Sequence, residues 1–355
     1  MRKNTGRRSL RVLTRVGVAM AAVSLAAACT SNSPAESKDN DADDGKQNAA
    51  SSNDDPGETV VIGFSGPEAD HGWLAAINAA AQAEAEKYSD IDLRVAEGTN
   101  DPSTQVSHIE TFINQGVDAI VLLPTDGAAL TDIAIEAMEA GIPVVNVDRE
   151  FSSEFAARTT ILGDNYGMGI SAGTYACKLI SEHNLGADAM IAEIAGIDAL
   201  QLTQDRSQGF ADALAACGAK VGHRVAAEFT VESGESVTSN LLQSVREIDI
   251  IWNHDDDQGI GVKAAFDNAN RDEFFFIGGA GSANAMRWIQ DGEMEATILY
   301  PPTQAADGIR LARLLAQGKG MSDLVQVEVP RRIVLNAPVV NADNVEEYLP
   351  LGFES

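Results

Sequence analysis

From Thr59 onward, short apolar runs alternate with amphipathic segments, and this rhythm constrains the fold more than any other feature of the chain. Val60 to Phe64 and Ala119 to Leu123 are typical of buried strands, because nearly every residue in them is apolar. Segments between such runs, for example Trp73 to Tyr88, are Ala-rich and of helical length. Near-continuous apolar strands separated by helices indicate a parallel sheet that is covered by helices on both faces.

The same rhythm restarts after a crossing segment near Thr160 to Asp164. About 300 residues follow Thr59, which is more than one compact core usually holds, so two lobes are expected. We predict an α/β protein with two similar Rossmann-like lobes, between which the chain crosses more than once. Loops at the carboxyl ends of strands carry the ligand site in open α/β sheets, so two facing edges would form a cleft.

The predicted boundaries follow from this division. The N-terminal lobe comprises residues 59–162 together with a returning segment at about 301–335. The C-terminal lobe comprises residues 163–300, and residues 336–355 form a C-terminal tail.

The N-terminus has the composition of an export signal, with basic residues before an apolar run from Val16 to Ala28 that stops at Cys29. The run is too short and too rich in Ala to be a comfortable bilayer-spanning helix. Two alanines directly before the Cys, with Leu25 upstream, resemble a bacterial lipobox, in which the Cys thiol is acylated. We predict a signal peptide at residues 1–28 and a lipid anchor that holds the protein at the outer face of the cell membrane. Ordinary secretion with a chance Cys is the alternative.

Residues 29–58 contain Ser, Asn, Asp, Gly and Ala with almost no large apolar side chain. Such a segment cannot bury enough surface to offset its ordering entropy, so we predict a disordered acidic tether. The whole chain has a net charge of −28, from 53 acidic and 25 basic residues. This balance argues against nucleic acid as a partner, because neutralising phosphates needs clustered Lys and Arg.

Three cysteines are present, and lipidation of Cys29 would leave Cys177 and Cys217 as a pair in an oxidising compartment. Both fall in predicted helices of the second lobe. They form either a disulfide or two buried free thiols.

No catalytic, cofactor or metal constellation emerges from the sequence. The glycine-rich stretches Gly163 to Gly169 and Gly278 to Gly281 lack the spacing of a phosphate-binding loop. The five His residues and two remaining Cys residues show no metal-ligand spacing. Asp255 to Asp257 lack the alternate acids of a calcium loop, and a solvated helix start is the better interpretation of Asp256 and Asp257. We predict a binding protein without enzyme activity, cofactor or metal.

Charged and aromatic residues lie at the ends of the predicted strands. Asp148 and Arg149 follow a strand of the first lobe, Phe229 closes a strand of the second lobe, and Asp255 follows another. Trp73 opens the helix after the first strand. Charged groups make strong hydrogen bonds to sugar hydroxyls, and aromatic rings pack on the apolar ring faces, so the mixture predicts a polyhydroxylated ligand. A structural ion pair and core packing are the alternative roles of these residues.

Several short segments lie in a characteristic order between about Thr59 and about Leu335. They are Gly63 to Ser65, Gly72-Trp73, Leu123 to Asp126, Gly141 to Arg149, Gly163 to Asn165, Asp205 to Phe210, Asn253 to Asp256 and Asp291 to Ile298. In this order and spacing they resemble the ribose- and galactofuranose-type periplasmic binding proteins of ATP-driven sugar importers. The resemblance implies two lobes that close on the ligand by hinge bending. Their three crossovers would lie near Tyr300 to Pro302, near Leu162 to Asp164 and before Asn336.

Matched residue by residue, the family's ligand contacts fall on eleven positions. They are Ser65, His71, Trp73, Leu74, Asp148, Arg149, Arg206, Phe229, Asp255, Ala280 and Tyr300. Ala280 stands where the family usually has an Asp, Asp255 where ribose binders place an Asn, and Tyr300 where a Gln is usual. Because a main hydroxyl-accepting carboxylate is missing, we expect a different pentose, a furanose or a sugar alcohol rather than ribose.

The resemblance also implies the partners of the protein. They are a small sugar or polyol ligand, an ABC permease and its ATPase, and the protein itself would be a monomer. A sensory module that presents a sugar-like signal to a membrane receptor is the alternative.

Overall fold

The computed structural model describes residues 53–186, 188–321 and 328–355. The predicted signal peptide, Cys29 and most of the predicted tether lie outside these residues. Within this part of the chain, no helix combines the length and the apolar character that crossing a bilayer requires.

Twelve strands and ten α-helices alternate along the described residues. In chain order the strands are β1 (Val60–Ser65), β2 (Ile91–Val95), β3 (Ala119–Leu122), β4 (Val144–Val147), β5 (Thr159–Gly163), β6 (Ile191–Ala195), β7 (His223–Ala226), β8 (Ile250–Asn253), β9 (Phe275–Ala280), β10 (Ala296–Leu299), β11 (Arg332–Leu335) and β12 (Val339–Asn341). The helices are α1 (Gly72–Ala85), α2 (Pro102–Gln115), α3 (Thr131–Glu139), α4 (Asn165–His183), α5 (Gln201–Ala216), α6 (Val231–Ser244), α7 (Asp256–Ala269), α8 (Ala283–Asp291), α9 (Gln304–Ala316) and α10 (Val345–Tyr348).

The strands form two six-stranded sheets of similar topology. The order in the first sheet is β11-β5-β4-β3-β1-β2, and all neighbouring strands are parallel. The order in the second sheet is β12-β10-β9-β8-β6-β7, in which the edge pair of β10 and β12 is antiparallel. The prediction of two α/β lobes is confirmed. Strand order reverses beside β1 and beside β6, and ligands bind in the crevices at such reversal points.

The chain passes between the two sheets at three places, which are β5 to α4, β10 to α9 and β11 to β12. These crossings lie where the family resemblance places them. Residues 336–355, however, do not form a separate tail. Val339 to Asn341 pair with β10, and the amide of Ala283 donates to the carbonyl oxygen of Phe353 at 2.7 Å. A three-residue edge strand carries too little alternation to be recognised in the sequence.

Glycines bring α4 and α5 into close backbone contact. A Cβ atom on Gly169 would lie 2.0 Å from the carbonyl oxygen of Arg206, and one on Gly209 would lie 2.2 Å from that of Tyr166. Only residues without a side chain permit this approach. The contact places Arg206 beside the first turn of α4, which carries Asn165.

A disulfide joins the same two helices. Cys177 in α4 and Cys217 at the end of α5 are bonded, with their Cα atoms 6.1 Å apart. The pair is therefore not two free thiols, and the second lobe carries a covalent link between neighbouring helices.

Candidate functional site

Residues of both lobes and of one crossover line a single small cavity. They are His71, Trp73, Asp148, Arg149, Leu202, Arg206, Phe229, Asp255, Ala280 and Tyr300. The empty volume, including the opening to solvent, is about 340 Å³. Only about 30 Å³ of this space is open to a water-sized molecule, so the lining residues of the two lobes lie close together. The structure thus brings together nine of the eleven residues predicted as ligand contacts.

Two predicted residues do not line the cavity. Ser65 is buried at the end of β1, where its Oγ accepts a hydrogen bond from Nε2 of Gln105 at 3.3 Å. Leu74 packs in the hydrophobic core, because the helical turn that directs Trp73 to the cavity directs its neighbour elsewhere. Leu202, in the first turn of α5, does line the cavity. The sequence contains no signal for it, since an apolar residue there is equally typical of core.

Three of the lining residues have left-handed backbone conformations although none is glycine. The φ angles are +64° for Asp148, +66° for Phe229 and +92° for Ala280. Among the described residues, the other non-glycine cases are Asn184 and Asn270, which end α4 and α7 as ordinary left-handed caps. Unusual backbone conformations cost about 1–3 kcal/mol each and cluster at ligand sites. Backbone strain therefore indicates the same site as the cavity does.

Phe229 reaches the cavity from a loop. Strand β7 ends at Ala226, so the prediction that Phe229 closes this strand is wrong. Its amide donates to Oε1 of Gln258 at 3.0 Å, and its ring stacks on that of His71 with centroids 6.1 Å apart. One aromatic contact thus joins the two lobes across the cavity.

Tyr300 joins both lobes from the crossover after β10. Its hydroxyl donates to Oδ1 of Asp148 at 2.6 Å and accepts from Nδ2 of Asn165 at 3.1 Å. Its carbonyl oxygen accepts from Nε1 of Trp73 at 3.0 Å. Burial and the charge of Asp148 raise the pKa of the Tyr300 hydroxyl, so this group stays protonated and acts as a donor.

Arg206 is held firmly on the second lobe. Its Nε donates to Oδ1 of Asn165 at 2.8 Å, and its Nη1 donates to the carbonyl oxygen of His254 at 3.2 Å. The guanidinium carbon lies 4.6 Å from the ring centroid of Tyr300 and 5.9 Å from that of Phe229, which adds cation–π attraction. These contacts orient the guanidinium before any ligand arrives.

Arg149, on the first lobe, has unused hydrogen-bonding capacity. Its Nη1 donates to the carbonyl oxygen of Thr125 at 2.8 Å, but its Nε is buried and has no partner among the described residues. The Nε atom lies 3.9 Å from Oδ2 of Asp148, too far for a hydrogen bond. Burial lowers the pKa of Arg149, against the attraction of Asp148. An unsatisfied buried donor costs about 1–3 kcal/mol, and a ligand hydroxyl could satisfy it.

The aspartates at the start of α7 are buried, so their interpretation as a solvated helix start is wrong. Asp255 caps the helix by accepting from the amide of Asp257 at 2.9 Å, and it lines the cavity. Asp256 accepts from the amides of Gly279, Gly281 and Ser282 at 2.7 to 2.9 Å. Ala280, the last residue of β9, lies between them, so Asp256 fixes one wall of the cavity.

The formal charges in the cavity are balanced. Asp148 and Asp255 face Arg149 and Arg206, and burial raises the pKa of Asp255. Throughout the described ranges, no group of three or more His, Cys, Asp or Glu residues is placed to hold a metal ion. Paired charges with both donors and acceptors suit a neutral molecule whose hydroxyl groups can donate and accept.

A wider groove opens beside the cavity and shares Asp148, Arg149 and Leu202 with it. Its outer wall includes Arg332, which is exposed and pairs with Glu150 at 3.0 Å. The groove lacks the strained residues Phe229 and Ala280 of the cavity.

Comparison with known proteins agrees with this geometry. Residues 62–320 match the family model described as the periplasmic binding protein domain. The ribose import binding protein RbsB of Bacillus subtilis is 29% identical over 268 residues, which are 74% of this chain and 85% of that protein. An ABC transporter solute-binding protein from Mycobacterium smegmatis with bound glycerol is 26% identical, with a TM-score of 0.73 over 84% of this chain and 99% of that one.

A second solved structure is the fructose-binding periplasmic domain of a hybrid two-component system. It is 26% identical, with a TM-score of 0.72 over 82% of this chain and 93% of that one. The family model covers well over half of the chain, and the two-sheet topology and the cavity between the lobes agree with it. The chain belongs to the periplasmic binding protein domain family.

Proposed function

We propose that this protein is the extracytoplasmic solute-binding lipoprotein of an ABC transporter, and that it delivers a small neutral sugar or sugar alcohol to the permease. One observation carries the proposal. Arg149 from the first lobe and Arg206 from the second line the same buried, charge-balanced cavity as Asp148 and Asp255. Such groups bind hydroxyls from two sides, and the rings of Trp73 and its neighbours supply apolar walls.

The ligand class follows from the cavity lining. Ala280 offers no side-chain acceptor, and Asp255 supplies a carboxylate from the neighbouring strand end. A pentose other than ribose, a furanose or a polyol therefore fits the proposal better than ribose does. The relative from Bacillus subtilis is named for ribose import, and the Mycobacterium smegmatis structure holds glycerol.

Binding would act through lobe closure. Ligand hydroxyls that bond to both arginines stabilise the closed arrangement, so the ligand shifts the population toward it. Contacts from Tyr300 to Asp148 and from His71 to Phe229 already cross between lobes and would hold that arrangement. A permease would recognise the closed form.

The location belongs to the same proposal. Residues 1–28 would direct export, and lipid on Cys29 would anchor a monomeric protein to the outer face of the cell membrane. A Cys29→Ser variant should then move from the membrane fraction to the soluble fraction. Equal membrane retention of both forms would exclude the anchor.

A sensory role is the second candidate, because one structural neighbour is a domain of a hybrid two-component system. A sensory module would use the same cavity and closure, with a membrane receptor in place of a permease. Adjacent permease and ATPase genes favour import, whereas an adjacent histidine kinase gene favours sensing.

A thermal-shift screen against pentoses, hexoses and polyols tests the binding proposal. A ligand that binds the native state at one hundred times its Kd adds about 2.7 kcal/mol of stability, so the Tm should rise. Arg332→Ala, which removes an exposed arginine of the neighbouring groove, should keep the shift. Arg149→Ala should reduce the shift to about half or less at the same ligand concentration. A panel that leaves the wild-type Tm unchanged, or an unaltered shift in Arg149→Ala, would contradict the proposal.

A further inference from the structure

The last described residues of the chain are fixed to the second lobe. Phe353 is buried, and its carbonyl oxygen accepts from the amide of Ala283, the first residue of α8, at 2.7 Å. Phe353 also forms a parallel bridge with Ser282. Arg287 of α8 adds an exposed ion pair with Glu354 at 2.9 Å. The segment is therefore held at the start of α8, close to the wall of the cavity that β9 supplies.

The same segment meets the first lobe at Gly72. A Cβ atom on Gly72 would lie 2.7 Å from the carbonyl oxygen of Glu354 and 2.9 Å from Cα of Ser355. Gly72 is the first residue of α1, and it lies between the cavity residues His71 and Trp73. No side chain has room at this position, so the close approach of the two lobes here depends on a glycine.

This contact is separate from the covalent crossings and from the cavity. The chain crosses between the lobes at β5 to α4, β10 to α9 and β11 to β12. Hinge bending rotates the backbone at such crossings, whereas contacts between packed lobes must separate. Neither Glu354 nor Ser355 lines the cavity. The contact with Gly72 can therefore stabilise the closed arrangement without touching a bound molecule.

We propose that residues 353–355 form a latch between the lobes, which favours the closed arrangement and slows release of the molecule in the cavity. The proposal rests on lobe closure as part of the proposed function, but not on the identity of the sugar or polyol. Contacts that raise the population of the binding-competent form raise the apparent affinity by the same factor. Loss of the latch should lower the affinity mainly through faster dissociation.

Hydrogen exchange without any added sugar or polyol tests the latch directly. A shortened chain that lacks residues 354 and 355 is compared with the full chain by mass spectrometry. Leu351→Ala, which truncates an exposed side chain just before the latch, is the matched control. The amides of Trp73 and Leu74 should exchange at least fivefold faster in the shortened chain and at an unchanged rate in the control. Unchanged exchange in the shortened chain would overturn the latch.

Gly72→Ala provides a second test from the side of the first lobe. Gly72 does not have a positive φ, so alanine suits the helix start, and its Cβ meets Glu354 only when the lobes are together. In the full chain this substitution should weaken the binding of the best-bound of glycerol, ribitol and D-arabinose at least tenfold. In the shortened chain the loss should be threefold or less, because the obstructing carbonyl is absent. Calorimetry compares the four forms.

The outcomes separate the latch from the proposed function. An equal loss in both backgrounds would overturn the latch, because Gly72→Ala would then act through other contacts. Equal affinity of all four forms would also overturn it, while the binding proposal stands. If exchange responds as expected but no form binds a probe, the latch stands and the polyol-binding proposal fails. If Gly72→Ala does not fold by circular dichroism, the exchange comparison alone decides.

Discussion

The two lobes present their arginines to the cavity in different ways. Arg206 of the second lobe makes hydrogen bonds to Asn165 and His254, and it lies over the ring of Tyr300. Arg149 of the first lobe leaves its buried Nε without a partner among the described residues. The second lobe therefore offers a prearranged surface, whereas the first offers hydrogen-bonding capacity that the protein itself does not use.

The residues that support Arg206 are also more firmly packed than those that support Arg149. Arg206 lies on α5, which is in backbone contact with α4 through Gly169 and is joined to it by the disulfide. Arg149 lies in a loop after β4 that begins with the strained backbone of Asp148. The second lobe thus holds its arginine rigidly, whereas the first lobe has a buried donor without a partner among the described residues. A ligand that bonds to both arginines would join the two lobes.

Loss of the disulfide should have the largest effect on stability. The bond between Cys177 and Cys217 closes a loop with a sequence separation of 40. Loops of this size contribute about 3–4 kcal/mol, mainly by restricting the unfolded chain. A Cys177→Ala, Cys217→Ala double variant should lose this amount in urea unfolding and keep its ligand affinity within about twofold. Unchanged unfolding free energy would show that the second lobe does not depend on this link.

Arg149→Ala should cause the largest loss of affinity. Its Nε has no partner among the described residues and can donate to a ligand. A hydrogen bond from a charged group contributes about 1.5–3 kcal/mol, or roughly 10- to 100-fold in Kd. The unfolding free energy should change by less than about 1 kcal/mol, because a buried cation with an unsatisfied donor is removed. Calorimetry and urea unfolding measure the two effects, with Arg332→Ala as the matched control.

Arg206→Ala should show the reverse balance. Affinity should fall about tenfold, and the unfolding free energy should fall by about 1–3 kcal/mol, because the carbonyl oxygen of His254 and Oδ1 of Asn165 lose their donor. An Arg206→Ala variant as stable as the wild type would contradict the difference between the lobes. So would an Arg149→Ala variant that is destabilised as much as Arg206→Ala.

The pH dependence should give the smallest effect. Burial lowers the pKa of His71, but the hydrogen bond that its Nδ1 donates to Asp70 and the charges of Asp255 and Asp257 outweigh this effect, so the pKa is raised above 6.5. Burial, with the charge of Asp255, raises the pKa of Asp257 to about 7. His71 belongs to the first lobe, whereas Asp255 and Asp257 belong to the second, so these charges act between lobes.

The sign follows from proton binding. A raised pKa means that the folded state holds the proton more tightly, so the contribution of His71 is complete below pH 6.5 and is lost as pH rises through its folded pKa. Asp257 loses its contribution between about pH 4 and pH 7. The unfolding free energy should fall as the pH rises above 6.5, and His71→Gln should flatten this fall. If His71→Gln leaves the pH dependence of the unfolding free energy unchanged, His71 does not interact with the charges of the second lobe.

Many of the cavity residues were predictable from the sequence, because the ends of the apolar runs mark the ends of strands. The apolar run before Asp148 and Arg149 ends abruptly, and the one before Asp255 does likewise. In parallel sheets such ends meet at one edge, so the residues that follow them are candidates for a site.

Side-chain direction and loop position were not predictable in this way. Ser65 and Leu74 lie close in sequence to cavity residues but point into the core. Asn165 supports both Arg206 and Tyr300, which depends on the close contact of α4 with α5 rather than on any local pattern. These features arise from packing between distant segments.

A ligand site shared between the two lobes can be tested by a calorimetric titration that compares the wild type with an Arg149→Ala, Arg206→Ala double variant. The titrant is the sugar or polyol that gives the largest thermal shift. We expect one ligand per wild-type chain and no detectable binding to the folded double variant, because each lobe then lacks its charged donor. Binding by the double variant within threefold of the wild type would contradict a site shared between the two lobes.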